Sequence, residues 1–191
     1  MSTYRKEFYL QVFRTILEKN KVCFIQTTDE DRKRFMGIYL NPFDFLVVSE
    51  ANNKNYIVQI VGNKFPKNKD DYTIDGRLKI AKSKRLDLEQ TIIWQNIFTN
   101  FKSYIVFIYI IPTTEAKERF LKMLPGIGEV YRYKLRGKFY WIGTAAIPSN
   151  DYLEYVNTEK IPKDEVHIKE NDITKVFKKL SDLIPDVKSG A

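Results

Sequence analysis

The segment from Tyr104 to Ile111 constrains the fold of this chain more than any other part of the sequence. It reads YIVFIYII, so eight apolar residues that are β-branched or aromatic follow one another, and Pro112 ends the run. Residues of these types favour strands, and a strand without polar alternation must be buried on both faces. The segment therefore predicts the central strand of a sheet that is covered on both sides.

Helical and strand patterns surround this segment in an order typical of an α/β fold. Four stretches repeat apolar residues with helical spacing, at 5–19, 86–101, 114–124 and 173–184. Two others predict β-hairpins, at 43–61 and 130–147, and we expect the first hairpin to pair with the central strand. This order calls for a mixed sheet with helices on its faces. Because no repeat or linker divides the chain, we expect one domain over residues 1–191.

The composition excludes several classes of protein. Cys23 is the only cysteine, so an intrachain disulfide framework and a Cys-rich zinc site are excluded. His167 is the only histidine, which excludes metal motifs that need a pair of histidines. No apolar run reaches the roughly 18–20 residues that span a bilayer, and the first residues lack the apolar core of a signal peptide. We expect a cytoplasmic protein without a membrane partner.

The net charge of +8 is concentrated in the middle of the chain. Residues 51–149 hold 17 basic and 8 acidic residues, whereas the segments on either side are close to neutral. A positive face would suit a polyanion, because neutralised phosphates release their counterions. Surface lysines that serve only solubility are the alternative, and the sequence leaves both interpretations open.

Two segments carry the candidates for contact with nucleic acid. The first is the polar stretch 62–84, which contributes Lys64, Lys67, Lys69 and Arg77. The second is the later hairpin, in which basic residues alternate with apolar and aromatic ones and contribute Arg132, Lys134, Arg136 and Lys138. On a strand, this alternation gives one basic face and one apolar face. The basic face either contacts phosphates or is a solvated outer surface.

Five segments, taken in order, resemble a known family. They are 8–14 (FYLQVFR), 41–47 (NPFDFLV), 58–66 (VQIVGNKFP), 88–98 with its Trp-Gln pair, and 133–140. Their order and spacing resemble an uncharacterised bacterial family named after its N-terminal HYExAFE motif. The predicted order α-β-β-α-β is also that of the restriction-endonuclease-like, or PD-(D/E)XK, nucleases. The resemblance implies this core, with a mixed central sheet flanked by helices, followed by a C-terminal hairpin and helix.

The resemblance also implies a site. In these nucleases two acidic side chains hold Mg²⁺, and a lysine two residues after the second acid stabilises charge on the phosphate. Asp44 matches the first acid, but Gln59 stands at the second acid and Val61 at the lysine. The implied site is therefore degenerate, with Asp44 and Gln59 as weak metal ligands. Lys64 or Lys67 could replace the missing lysine, and Lys64 could do so only if Gly62 bends or bulges the strand.

These observations favour a degenerate nuclease-fold protein that binds nucleic acid without efficient cleavage and without a cofactor. We expect the nucleic acid to be DNA, although the sequence does not distinguish DNA from RNA. Two alternatives remain open. An active enzyme would be a Mg²⁺-dependent DNA endonuclease or exonuclease that uses Asp44, Gln59 and a displaced Lys64. Otherwise the fold would be a scaffold that binds another protein. The sequence does not indicate an oligomeric state.

Overall fold

The architecture is α/β, with a mixed six-stranded sheet flanked by helices. It is seen in a computed structural model, which describes residues 3–28, 30–31, 43–66, 73–74, 77–78, 81–135, 137–155, 165–166, 168 and 172–188. The helices are α1 (Thr3–Lys19), α2 (Arg85–Ile97), α3 (Thr114–Met123), α4 (Ser149–Tyr155), α5 (Ile173–Val176) and α6 (Leu180–Leu183).

Six strands form the main sheet, and four short strands form two small ones. The main strands are β1 (Cys23–Gln26), β2 (Phe45–Ser49), β3 (Lys54–Lys64), β7 (Phe101–Ile111), β8 (Glu129–Leu135) and β9 (Lys138–Pro148). The short strands are β4 (Thr73–Ile74), β5 (Arg77–Leu78), β6 (Ser83–Lys84) and β10 (Glu165–Val166). β4 pairs with β5, and β6 pairs with β10. Strands β4, β5 and β6 lie within the polar stretch 62–84, whereas β10 lies much later in the chain.

The strand order of the main sheet is β1-β2-β3-β7-β9-β8. β3 and β7 run parallel, since the crossover that contains α2 joins them, and the other neighbours are antiparallel. β7 lies in the interior of the sheet, between β3 of the first hairpin and β9 of the second. The prediction of a central strand at 104–111 that pairs with the first hairpin is confirmed.

Alternate residues of β7 contribute to two hydrophobic cores on opposite faces of the sheet. Val106 and Ile108 belong to the core that α1 covers. Ile105, Phe107 and Tyr109 belong to the core on the other face, beneath α2, α3 and α4. All five side chains are buried. The unbroken apolar run follows from this position, because neither face of the strand reaches solvent.

Helix α1 packs against the sheet through one apolar stripe, and a glycine of β3 determines how closely. The buried stripe consists of Tyr9, Val12, Phe13, Ile16 and Leu17, as the helical spacing predicts. The ring of Tyr9 lies directly over Gly62. A Cβ atom at position 62 would lie 2.0 Å from Tyr9 Cδ2, which is far inside van der Waals contact. The helix can approach this closely because residue 62 has no side chain.

The C-terminal segment differs from the prediction of one helix over 173–184. The structure has the short helices α5 and α6, and between them Lys178 exchanges two backbone hydrogen bonds with Ala146 of β9, at 3.0 and 2.7 Å. Pairing of β8 with β9 ends at Thr144, so this part of β9 is an open edge. The chain crosses that edge. Apolar residues before the crossing join the core under α2, and Leu180 and Ile184 after it join the core under α1.

We expect Gly62→Ala to lower the free energy of unfolding by about 1–3 kcal/mol, the usual cost of overpacking a core. The new methyl group would displace the Tyr9 ring and with it the start of α1. Urea unfolding of Gly62→Ala in the wild-type and the Tyr9→Leu backgrounds measures the effect. The cost should shrink when the ring is absent, and equal costs in both backgrounds would contradict this explanation.

Candidate functional site

Asp44 lies immediately before β2. Its backbone and its side chain both form hydrogen bonds with the neighbouring strand β3. The register of β2 with β3 pairs Phe45 with Val58, so Asp44 lies opposite Gln59. The Asp44 N–H donates to the Val58 carbonyl at 2.9 Å. One carboxylate oxygen, Oδ2, accepts the Ile60 N–H at 2.7 Å. Asp44 therefore anchors the beginning of β2 to the middle of β3.

A lysine from α1 meets the same carboxylate. Lys6 Nζ lies 3.0 Å from Asp44 Oδ1, and its side chain is 46% exposed, whereas that of Asp44 is fully buried. A buried carboxylate is costly unless hydrogen bonds and an opposite charge compensate it. The Ile60 N–H and the Lys6 ammonium provide both. Nothing in the sequence near Lys6 marks it as a site residue, so the sequence analysis missed it.

The two positions that follow Asp44 in the predicted motif lie on one face of β3. Gln59 is 5% exposed, and no described residue hydrogen-bonds its side-chain amide. Val61 is half-buried and packs against the core beneath α2. The period of a strand places Gln59 and Val61 on the same face, as predicted. Val61 thus packs in an apolar environment, and its own side chain offers no ammonium.

The structure does not bring Lys64 to Asp44. Residues 55 to 64 of β3 pair regularly with β7, and Lys64 pairs with Ile110, so Gly62 causes no bulge. Lys64 is exposed at the end of the strand. It lies five residues beyond Gln59, which is roughly 16 Å along a strand. Its odd separation from Gln59 also places it on the opposite face of the sheet.

Asp87, in the first turn of α2, is a second carboxylate near Asp44. Burial raises the pKa of Asp87 above its ordinary value of 3.8, and the negative charge of Asp44 raises it further. The positive charges of Lys84 and Lys6 partly offset this rise in pKa. Asp87 therefore lies within electrostatic range of both members of the Asp44–Lys6 pair. An aspartate in the first turn is common in helices, so the sequence alone gave no reason to place it here.

The crossover helix α2 also contributes a buried amide side chain, Gln90. Gln90 Oε1 has no hydrogen-bond partner among the described atoms.

The outer hairpin of β8 and β9 presents a second candidate surface. Its register pairs Arg132 with Trp141 and Lys134 with Phe139, and these four side chains share one face of the sheet. Arg132 Cζ lies 4.1 Å and Lys134 Nζ 5.6 Å from the centre of the Phe139 ring. Lys117 Nζ of α3 lies 4.1 Å from the centre of the Trp141 ring. We call these five residues the basic–aromatic face.

The opposite face of this hairpin is apolar, as the alternation predicts. Tyr131 and Tyr133 join the core under α1. Among the other nucleic-acid candidates, Lys64 lies at the same end of the sheet as the hairpin, because its partner Ile110 also pairs with Ile142. Arg77 and Lys138 are described only in their backbone, and Lys67, Lys69 and Arg136 lie outside the described residues.

The basic–aromatic face and the Asp44 site lie on the same face of the sheet but far apart. Gln59 pairs through Ile105 with Ile147 of β9. From Ile147 to Trp141 is six residues, or roughly 20 Å along the strand. The two candidate sites are therefore separate surfaces and not parts of one cleft wall.

Comparison with models of protein families, with curated proteins and with solved structures finds no match for this chain. Across the ranges that the structure describes, no helix is long and apolar enough to cross a membrane. Within the same ranges, no three His, Cys, Asp or Glu side chains converge as metal ligands.

We expect Asp44→Ala to destabilise the fold more than Asp44→Asn. The alanine variant leaves the buried Ile60 N–H without its acceptor, which costs about 1–3 kcal/mol. The asparagine variant keeps an oxygen for that N–H and loses only the charge that faces Lys6. Urea unfolding at neutral pH measures both variants. Equal losses would contradict the role of Asp44 as an acceptor that anchors β2.

The raised pKa of Asp87 predicts a pH-dependent effect of Asp87→Asn. Because the folded state binds this proton more tightly than the unfolded state, ionisation of Asp87 lowers stability as pH rises above its ordinary value of 3.8. The asparagine variant avoids this loss. Its melting temperature relative to the wild type should therefore increase with pH, which thermal unfolding between pH 4 and about pH 8 would show.

A matched control for this measurement is Glu89→Gln. It removes the same charge from an exposed position of the same helix. A pH effect of equal size in both variants would show that the change reflects net charge and not the environment of Asp87.

Proposed function

We propose that this protein binds nucleic acid through the basic–aromatic face and does not cleave it efficiently. The observation that carries the proposal is the arrangement of Arg132 and Lys134 around the exposed ring of Phe139. Cations beside an aromatic ring on an open surface are the combination that backbone phosphates and bases engage.

The charge of this face is available to a ligand. Within the described residues, neither Arg132 nor Lys134 forms an ion pair with a carboxylate, and both side chains are exposed. Lys64 lies at the same end of the sheet but on its opposite face, so it does not belong to this surface. A polyanion would gain by neutralising the charges of Arg132 and Lys134 and releasing counterions.

The surroundings of Asp44 support the absence of efficient cleavage. Both of its carboxylate oxygens are engaged within the protein, one by the Ile60 N–H and the other by Lys6. A Mg²⁺ ion would have to compete with the Lys6 ammonium for Asp44. Gln59 offers only a neutral amide, and Val61 offers no ligand at all. A degenerate restriction-endonuclease-like core, which the family resemblance implies, would correspond to α1, β2, β3, α2 and β7, with β1 as an additional strand between α1 and β2.

One observation favours a second candidate, an active Mg²⁺-dependent nuclease. Asp87 is a second carboxylate within electrostatic range of Asp44, and Lys6 is a cation in contact with Asp44. Two carboxylates and an amide oxygen are donors that suit a hard cation. The site would then polarise a phosphate and activate a water molecule. This candidate requires that Lys6 move from Asp44 when the metal binds.

The binding proposal is tested by fluorescence anisotropy of labelled DNA between about 50 and 200 mM salt. Affinity should fall steeply with salt. The double variant Arg132→Ala/Lys134→Ala should bind about tenfold more weakly, and its salt slope should be smaller by about 1.4–1.8, which corresponds to two lost phosphate contacts.

The matched control is Lys54→Ala/Lys102→Ala, which removes two exposed lysines at the other end of β3 and β7. It loses the same charge and should retain binding. Equal weakening in both double variants would indicate a general charge effect and contradict the proposal. No retention of DNA at low salt would favour the protein scaffold.

Incubation of DNA with the protein and millimolar Mg²⁺ or Mn²⁺ separates the two candidates. We expect no cleavage above background. Metal-dependent cleavage that Asp44→Asn and Asp87→Asn abolish would establish the nuclease instead. Loss of the same activity in Lys64→Ala, but not in Lys6→Ala, would support the displaced lysine that the sequence predicts.

A further inference from the structure

We infer that the basic–aromatic face takes a single strand of nucleic acid with unpaired bases. This inference rests on the proposed function and names the class of ligand more narrowly. It follows from the position and exposure of one side chain, Phe139, and from the two cations beside it.

Phe139 is 56% exposed even with Arg132 and Lys134 beside its ring. Trp141, the other aromatic residue of this face, is half-buried and packs against the core, and Lys117 lies over its ring. The fold therefore uses Trp141 in the core and leaves more than half of Phe139 exposed. Hydrophobic burial alone does not account for a large apolar ring at this position.

The hairpin gives a ligand room to reach this ring. Pairing of β9 with β7 ends at Trp141, which lies opposite Ile111. Phe139 lies two residues further along β9, beyond the end of the neighbouring strand. On its other side is β8, the last strand of the sheet. An extended polymer can thus cross the projecting hairpin without a clash with β7.

An exposed aromatic ring can stack on an unpaired base but not on a base within a duplex. In a duplex the flat faces of the bases stack on one another, and a protein reaches only their edges in the grooves. An unpaired base offers its flat face, which stacks on an aromatic ring or on a guanidinium group. Arg132 Cζ lies 4.1 Å over one face of the Phe139 ring, so a base would stack on the exposed surface of this pair and not between its two members.

The cations beside Phe139 can contact the phosphate backbone of such a strand. Lys134 lies directly across from Phe139 in the register, and Arg132 is two residues before it. Residues in cross-strand pairs have Cβ atoms about 5 Å apart, so a base on Phe139 would hold its own phosphate within reach of these side chains. The face combines a stacking surface with phosphate contacts, as proteins that bind single strands do.

The test compares one labelled DNA strand of about 20 nucleotides, longer than the site of a single binding domain, with the same strand annealed to its complement. Anisotropy at low salt should show tighter binding of the single strand. Phe139→Ala should weaken binding of the single strand about tenfold or more and change duplex binding little. Phe139→Tyr should retain binding, because it keeps the ring.

Ile25→Ala is the control, since Ile25 is an exposed apolar residue on the edge strand β1, far from the hairpin. It should not affect binding. Because Phe139 is exposed, circular dichroism should show that Phe139→Ala keeps the fold and its melting temperature. An RNA strand of the same sequence extends the comparison, and it should also depend on Phe139.

The outcomes separate this inference from the proposed function. Duplex bound as tightly as the single strand, with Phe139→Ala unchanged, would overturn the inference and leave nucleic-acid binding intact. Failure of both DNA forms to bind at low salt would overturn the two together. Competition by poly-glutamate as effective as that by unlabelled single strand would also overturn the inference, because the face would then recognise charge alone.

Discussion

The parallel pairing of β3 with β7 is the constraint on which the rest of the structure depends. Parallel neighbours require a crossover, and here the crossover lays α2 on one face of the sheet and leaves the other face to α1. β7 is then buried from both sides. The same arrangement places Lys6 of α1 in contact with Asp44 at the beginning of β2 and Asp87 of α2 within electrostatic range of both.

The fold carries two candidate surfaces, the Asp44 site and the basic–aromatic face, and they differ in the exposure of their charged groups. At Asp44 a buried carboxylate is compensated by the Ile60 N–H and by Lys6, and these contacts join β2, β3 and α1. On the outer hairpin the cations of Arg132 and Lys134 are exposed and have a ring beside them instead of a carboxylate. Because the two surfaces are separate, binding at the hairpin does not require a working site at Asp44.

The candidate site was predictable where it depends on local periodicity. The alternation of a strand places Gln59 and Val61 on one face, and it gives the second hairpin its basic face with Arg132 and Lys134. Lys6 and Asp87 could not be found in this way. Lys6 contacts Asp44, and Asp87 lies within its electrostatic range, only because α1 and α2 pack on the sheet near a residue distant from them in sequence. The displaced Lys64, which the strand pattern already placed on the opposite face, stays at the far end of β3.

The sequence by itself determined the central strand, the two hairpins and the apolar stripe of α1, because each follows from the spacing of apolar residues within one segment. Tertiary structure decided the rest. The apolar residues of 173–184 divide between two cores because Lys178 pairs with the open edge of β9. The spacing of residues within this segment does not predict that pairing. The exposure of Phe139 likewise depends on where β7 ends beside β9, a fact of strand pairing that only the folded sheet contains.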